Sequence, residues 1–504
     1  MTTNVITGMS QTRNPVVVCL AENFFRDKFR RAMIATTFRD VILSLGRSEV
    51  EPQDVNVQTR VTKEREMKIP FISSPMDTVT ESEMAIALAR HGGVGVLHRN
   101  CAVEEQCEMA KRVKKAEALV IRDVVTVTPS TTIAEALSLM QKHEISGLPV
   151  VDKDRLVGIL TGRDVRFADP SLKVDNLMTR KVITAREGIS IDDAKELLHQ
   201  HRIEKLPIVD ADGKLSGLIT IKDIILRGRF PDATRDDQGR LLCAAATSPF
   251  DLNRAKELDK HVDILVIDVA HFHNVRVFEA TKKIMKDVNA EVVVGNIGTY
   301  KAAEEAITKL DNVAAFRVGI GSGSICSTTA VTRAGAPTLF ATCEVADAVR
   351  QYHAGIPIIA DGGIGGAGDI AVALAAGASA VMMGNLFARC KEAPGTLLTI
   401  GGRHYKQYRG MASPSARAKR YAIDRYSTPA KALPEGVEGW VPYKGEVALV
   451  LQELHAGLQA AMGYAGAASI IDLWEKATFL MISQYGEAEA SPHDILLPSE
   501  TERS

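Results

Sequence analysis

The chain has no Cys-x-x-Cys pair. Its seven cysteines, Cys19, Cys101, Cys107, Cys243, Cys326, Cys343 and Cys390, are scattered over 504 residues. Neither a zinc ribbon nor a disulfide framework follows from that spacing, and a reducing, cytoplasmic setting is expected. There is also no excess of charge: 61 Lys and Arg balance 62 Asp and Glu, for a net charge of −1. That leaves no electrostatic footprint for a nucleic acid or a membrane surface. Long apolar runs are missing as well. Val16–Leu20 is too short for a signal peptide or a membrane span. The ending "TERS" matches no targeting tail. What is present, 46% hydrophobic and 24% charged residues, is the mix of a soluble globular protein, and the length predicts two or three domains.

Short β-rich runs recur, many of them ending in Gly, Asp, Asn or His. They are "FISSPMD" (71–77), "VGVLH" (94–98), "LLCAAA" (241–246), "ILVIDVA" (264–270), "EVVVGN" (291–296), "AAFRVGIG" (314–321), "PIIADGG" (357–363) and "AVMMGN" (380–385). Most are followed by a helical pattern such as "GDIAVALAAGA". Near-continuous apolar strands alternating with helices indicate a parallel sheet buried on both faces. Eight such units predict an α/β protein built on a (β/α)₈ TIM barrel, whose active site lies at the C-terminal strand ends.

About 120 residues separate "EEQCEMAKRVKKAE" (104–117) from "LLCAAA", and they hold an internal repeat. Residues 132–164 resemble 190–223, offset by 58 residues and then by 59 after an insertion near Asp212. Such a pair is one supersecondary unit packed on its twin. It resembles tandem CBS domains (a Bateman module), known from a Leu-Pro-Val/Ile-Val-Asp strand and a closing Thr-x-x-Asp, here Thr161/Asp164 and Thr220/Asp223. The resemblance implies that these aspartates meet the ribose of an adenine or guanine nucleotide. A purely structural insert is the other reading.

"DGGIGGAG" contains Gly363-x-Gly365-x-x-Gly368 between a strand and a helix, a dinucleotide fingerprint by pattern. The next strand, however, ends in Gly384-Asn385 rather than in the acid a ribose would need. These are the seventh and eighth strands, and barrels commonly bind phosphate on the loops that follow them. A phosphorylated small molecule is therefore the expected substrate. Cys326 closes the sixth unit on the same face, in "VGIGSGSICSTT" (318–329). Loop amides can lower a thiol pKa there, although a loop cysteine taken alone is more often inert.

"GSGSICSTT" resembles the catalytic loop of the inosine-5'-monophosphate (IMP) dehydrogenase family. It is accompanied in order by "SSPMDTVTE" (73–81), "GGVGVLHRN" (92–100), the CBS pair, "IADGGI" (359–364), "YRGM" (408–411), "LPEGVEGWVPYKG" (433–445) and "GYAGA" (463–467). The resemblance covers nearly the whole chain after Thr36, with archaeal members most similar. It implies oxidation of IMP to XMP with NAD, the committed step of guanine nucleotide biosynthesis, in a cytoplasmic homotetramer. Cys326 would attack C2 of the purine and form a thioimidate. Arg425 and Tyr426, on a flap at about 409–440, would activate the hydrolytic water, with Thr328 holding it. Ser74, Met76, Ser324, Asp361, Gly362 and Gly363 match nucleotide-binding positions. So do Gly384, Asn385, Tyr408, Arg409, Gly410, Met411 and Glu435. The nicotinamide would lie near Asp268, Gly319, Ile320 and Gly321. A monovalent cation, K+, would rest on the carbonyls of Gly321, Gly323 and Cys326, helped by Glu489 of a neighbouring copy. The implied organisation is an extension (1–35), a barrel (36–120 and 226–504) and tandem CBS domains (121–170 and 178–225).

Several positions depart from the family. Cys326 is followed by Ser327, Thr328 and Thr329, where Thr-Thr-Arg is usual. Arg425 falls about one residue late, and Arg420-Tyr421 competes for its role. Phe272 stands where a small residue would face NAD, and Arg39 where Asp is usual. Two other readings stay open. GMP reductase shares the barrel and the cysteine, and Glu344 falls where its catalytic glutamate lies. A degenerate nucleotide-sensing barrel is the third.

Overall fold

The computed structural model describes residues 33–117, 120–122, 124–419, 421 and 435–493. Eight parallel strands close into a barrel. In chain order they are β1 (Phe71–Ser73), β2 (Val94–Leu97), β3 (Ala244–Thr247), β4 (Ile264–Ile267), β5 (Glu291–Ile297), β6 (Val313–Val318), β7 (Ile358–Asp361) and β8 (Ala380–Met383). Each pairs with the next, β2 pairs with β3, and β8 pairs with β1. All eight fall on the runs expected from the sequence.

The strands are apolar throughout because both faces are covered. Ile264 and Val266 of β4 point into the barrel cluster with Ala244, Val293 and Ile359, whereas Leu265 and Ile267 belong to the layer between strands and helices. Fully burying one such side chain contributes about 1.5–3 kcal/mol. A hairpin, Thr59–Arg60 with Glu66–Met67, supplies Val61 and Met67 to the same interior cluster. Lys63 on it donates its N–H to Ala314 at the start of β6, so the hairpin plugs the N-terminal mouth. The C-terminal mouth is left for chemistry.

The insertion leaves from the helix Val103–Lys115 and returns before β3. Its two repeats share one element order: helices Ile133–Lys142 and Ile191–Gln200, each followed by an antiparallel strand pair and a closing helix. Its ends are fastened together. Buried Glu117 pairs with Arg90 and Arg235, and Lys114 pairs with Asp236 and Asp263. Asp263 directly precedes β4, so this junction lies at the barrel end opposite the C-terminal strand ends.

A three-stranded antiparallel sheet, Leu397–Ile400, Arg403–Arg409 and Glu438–Pro442, follows the barrel. It carries residues 435–437 over the Cys326 loop. There Val437 donates its N–H to the Ile325 carbonyl at 3.0 Å, and Ser327 donates to the Glu435 carbonyl at 3.2 Å. Arg425, Tyr426 and Arg420 lie outside the described residues.

Candidate active site

The loop after β6 turns on glycines. Gly319 has φ +116°, and a Cβ there would come within 2.5 Å of Thr338 Oγ1; Gly321 has φ +87° and packs against Thr329. Only glycine accommodates both demands. The loop delivers Cys326, the exposed member of the six described cysteines, all of them free. Burial pushes the thiols of Cys101, Cys243 and Cys390 up to about 12 and also raises those of Cys107 and Cys343. Those five are therefore held as neutral thiols. Cys326 Sγ lies 3.2 Å from Thr328 Oγ1, which in turn donates to Glu435 Oε2 at 3.0 Å.

Cys326 lines a cavity of about 140 Å³ at the barrel mouth. Ser74, Met76, Asp361, Gly362, Gly384 and Glu435 line it too, as do Tyr408, Gly410 and Met411. Tyr408 is buried, and burial pushes its hydroxyl up to about 12, so it stays a proton donor. A Cβ on Gly384 would come 2.7 Å from that hydroxyl, which is why glycine is needed at this strand end. Ser324, Gly363 and Asn385 do not line the cavity. Asn385 donates to Ser324 Oγ at 3.3 Å and is gripped in turn by Arg389.

Arg409 was expected at the substrate. Its guanidinium instead pairs with Asp77 at 2.9 and 2.5 Å, and it does not line the cavity. Asp77 is buried. Although burial opposes ionisation, hydrogen bonds from Arg409 and Asn100 hold its carboxyl below the usual range. The pair ties the post-β1 loop to the sheet that carries the flap.

A second cavity of about 430 Å³ adjoins the first, sharing Val269, Ala270, Ile320, Thr328 and Glu435 with it. His271, Asn274, Thr299 and Ala336 extend its wall. Phe272 does not intrude: it is fully buried against Phe278, with ring centroids 4.9 Å apart. Asp268, expected beside the nicotinamide, lines neither cavity. It is fully buried beneath the site and bound by Arg317 at 2.9 Å, as a carboxylate removed from water requires. Sequence reading missed Arg317. The available signal was an arginine inside the otherwise apolar run "AAFRVGIG".

Around the proposed cation loop, the Gly323 carbonyl accepts the Cys326 N–H at 2.9 Å and keeps a second lone pair. Glu489 ends the helix Gln484–Glu489. Arg39 forms an exposed pair with Glu487, at 3.7 Å. Glu344 accepts the Tyr300 N–H at 3.1 Å and lines neither cavity. A third cavity, about 420 Å³, lies between the two repeats of the insertion, with Arg163, Arg166, Lys181, Arg202 and Lys205 among its walls. Asp164 and Asp223 do not line it. Each accepts from Thr161 or Thr220 at its own helix start.

A family model for the IMP dehydrogenase / GMP reductase domain matches residues 35–493. The inosine-5'-monophosphate dehydrogenase of Korarchaeum cryptofilum is 54% identical over 466 residues, covering 92% of this chain and 98% of its own length. That of Thermoplasma acidophilum is 49% identical over 478 residues, with 94% and 98% covered. A crystal structure of GMP reductase from Trypanosoma brucei in complex with guanosine 5'-monophosphate superposes with a TM-score of 0.85 at 34% identity, covering 93% of this chain and all of that one. With an eight-stranded barrel, a cysteine loop after β6 and this extent of likeness, the chain belongs to the IMP dehydrogenase / GMP reductase family.

Proposed function

We propose that this chain oxidises IMP to XMP with NAD, through a thioimidate on Cys326, in guanine nucleotide biosynthesis. The observation that carries the reading is the exposed thiol in the cavity lined by the β7 and β8 loops, 3.2 Å from Thr328 Oγ1, a residue that this cavity shares with the adjoining one. Asn296 supports the fit. It lines the first cavity, and its buried Oδ1 has no hydrogen-bond partner among the described residues. A buried acceptor of that kind calls for a donor from a ligand.

The S–H proton of Cys326 leaves to solvent as Sγ forms a bond to C2 of the purine, and the hydrogen on C2 departs with its electron pair. NAD, when bound, takes up that hydride. Water then adds at C2, loses a proton and displaces the sulfur as a thiolate, leaving a carbonyl with the remaining hydrogen on the ring nitrogen; a proton from solvent restores the thiol. Thr328, within hydrogen-bond reach of both Cys326 and Glu435, receives that water and passes its proton toward the Glu435 carboxylate. Arg425 and Tyr426 of the flap complete its activation. Asp361 and the loops at Gly362–Gly363 and Gly384–Asn385 hold the ribose and phosphate. Gly319, Ile320 and Gly321 would border the nicotinamide, and Asp268 would act behind them through Arg317, two residues before Gly319.

A monovalent cation fits the Gly321, Gly323 and Cys326 carbonyls, since neutral carbonyl dipoles suit a weakly hydrated K+. Glu489 of a neighbouring subunit would complete that site in a homotetramer. The five cations of the insertion's cavity suit the phosphates of an adenine or guanine nucleotide. Deleting Asp123–Ile225 behind a short linker should leave a folded barrel, because Glu117 and Arg235 already hold the two ends together. Oxidation of IMP should remain within a few-fold, and any effect of ATP or GTP should vanish. A soluble, folded deletion devoid of activity would contradict this division of labour.

GMP reduction is the second reading, favoured by the barrel's likeness to GMP reductase. Glu344, the residue that reading needs, is engaged with the Tyr300 amide and lies outside both cavities. One assay decides: IMP with NAD should raise the reduced-nicotinamide absorbance, and GMP with NADPH should not lower it. The opposite pair of results would exchange the two assignments.

A further inference from the structure

Four charged side chains form a linked group at the cavity floor, where Arg317 and Asp361 line the cavity and Asp268 and Arg99 lie behind them. Arg317, the fifth residue of β6, has a side chain that is 4% exposed. Its Nε and Nη2 reach Asp361 Oδ2 at 2.9 and 2.8 Å, while Nη1 reaches Asp268 Oδ1 at 2.9 Å. Arg99, equally buried, approaches Asp268 Oδ2 at 3.5 Å and donates to its backbone carbonyl at 3.1 Å. Two positive and two negative charges thus balance, three of them buried and Asp361 partly exposed to the cavity. Asn296 joins from β5, with Nδ2 donating to Asp361 Oδ2 at 2.9 Å and to the Gly319 carbonyl at 2.8 Å.

The arrangement is asymmetric at Asp361. Oδ2 receives three donors from below, two from Arg317 and one from Asn296, and none of these reaches Oδ1. Asp361 lines the cavity. A carboxylate anchored through one oxygen presents the other in a fixed direction, ready to accept from a hydroxyl. Arg317 also sits two residues before Gly319, where the Cys326 loop begins, and Asn296 grips the Gly319 carbonyl. The groups that aim Asp361 therefore also fix the root of the nucleophile's loop.

We propose that Arg317 is a positioning residue that aims Asp361 at the ribose hydroxyls of the substrate and ties that recognition to the loop bearing Cys326. The proposal rests on the reading of this cavity as an IMP site. It requires the planar fork, because a lysine would supply the charge but could not hold Asp268 and both contacts to Asp361 together.

The test is calorimetric binding of IMP and of its 2'-deoxy and 3'-deoxy analogues, with steady-state kinetics alongside. Hydrogen bonds from hydroxyls to a fixed carboxylate make wild type prefer IMP over at least one deoxy analogue by about 10–100-fold. In Arg317→Lys that preference should fall to less than about threefold, with the IMP KM raised about tenfold or more and kcat lowered as well through the loop. Asn296→Ala, which changes no charge, should lose part of the preference and decides the matter if the lysine variant does not fold. If the folded variants discriminate as well as wild type, Arg317 only neutralises buried charge and the proposal fails. If wild type itself does not bind IMP, the functional reading fails instead.

Discussion

Replacing Cys326 by alanine should lower IMP-dependent NAD reduction by at least about 10⁴-fold, while IMP binding stays within a few-fold of wild type. The size follows from the role, since a covalent route offers no comparable path once its nucleophile is gone. Binding should survive because, on the proposed reading, phosphate and ribose would be held by Asp361 and by the loops after β7 and β8, none of which the substitution touches. Cys326 is exposed, so alanine leaves no cavity in the core and the melting temperature should barely move. Equilibrium binding of IMP together with turnover separates the two effects. A variant that keeps a tenth of the wild-type rate would exclude the thioimidate. Cys343→Ser provides a control: this cysteine is half-buried, lies on the helix Thr338–Gln351 and lines neither cavity, so the serine variant should retain turnover.

The barrel was legible because its strands are buried on both faces and so read as mostly apolar runs, with polar residues concentrated where the strands emerge at the mouth. The doubled insertion was legible because a repeat carries its own comparison. The thiol was legible because glycine and serine flank it. Side chains that reach across the barrel are another matter. Asp77 and Arg409 are 332 residues apart, and their pairing depends on β1 meeting the sheet after β8. Nothing local marks Arg409 as a strut rather than a substrate ligand. Asp268 presents the same difficulty. An aspartate at a strand end looks like a ligand contact, but its burial is decided by Arg99, in the loop after β2, and by Arg317 of β6. Phe272 erred in the opposite direction. Its size suggested obstruction, yet the loop turns it onto Phe278 and leaves the second cavity open. Asp164 and Asp223 were read through a resemblance, and the capping geometry written in the same Thr-x-x-Asp spacing was passed over.

Arg425→Ala should convert steady turnover into a burst. Hydride transfer needs only the thiol and the bound nucleotides, so the first equivalent of reduced cofactor per site should appear at close to the wild-type rate. Hydrolysis of the thioimidate needs a group that positions and deprotonates water, worth about 10²–10⁴-fold. Without the flap arginine the adduct accumulates, and the steady state should slow by a factor in that range. It should not reach zero, because Thr328 and Glu435 form a second route: Thr328 Oγ1 stands 3.2 Å from the sulfur and 3.0 Å from the carboxylate. Thr328→Val should therefore slow the steady state as well, and the variant carrying both changes should be slower than either single one. Arg420→Ala should show no burst. If Arg420→Ala gives the burst and Arg425→Ala does not, the role belongs to the earlier Arg-Tyr pair. That outcome would also fit the short segment Ser427–Leu433 that separates Tyr426 from the proline and glutamate ahead of the Cys326 loop's cover. Rapid-mixing absorbance at the reduced-nicotinamide band reads all four variants, and mass spectrometry of the quenched protein shows whether the nucleotide is attached to Cys326 during the slow phase.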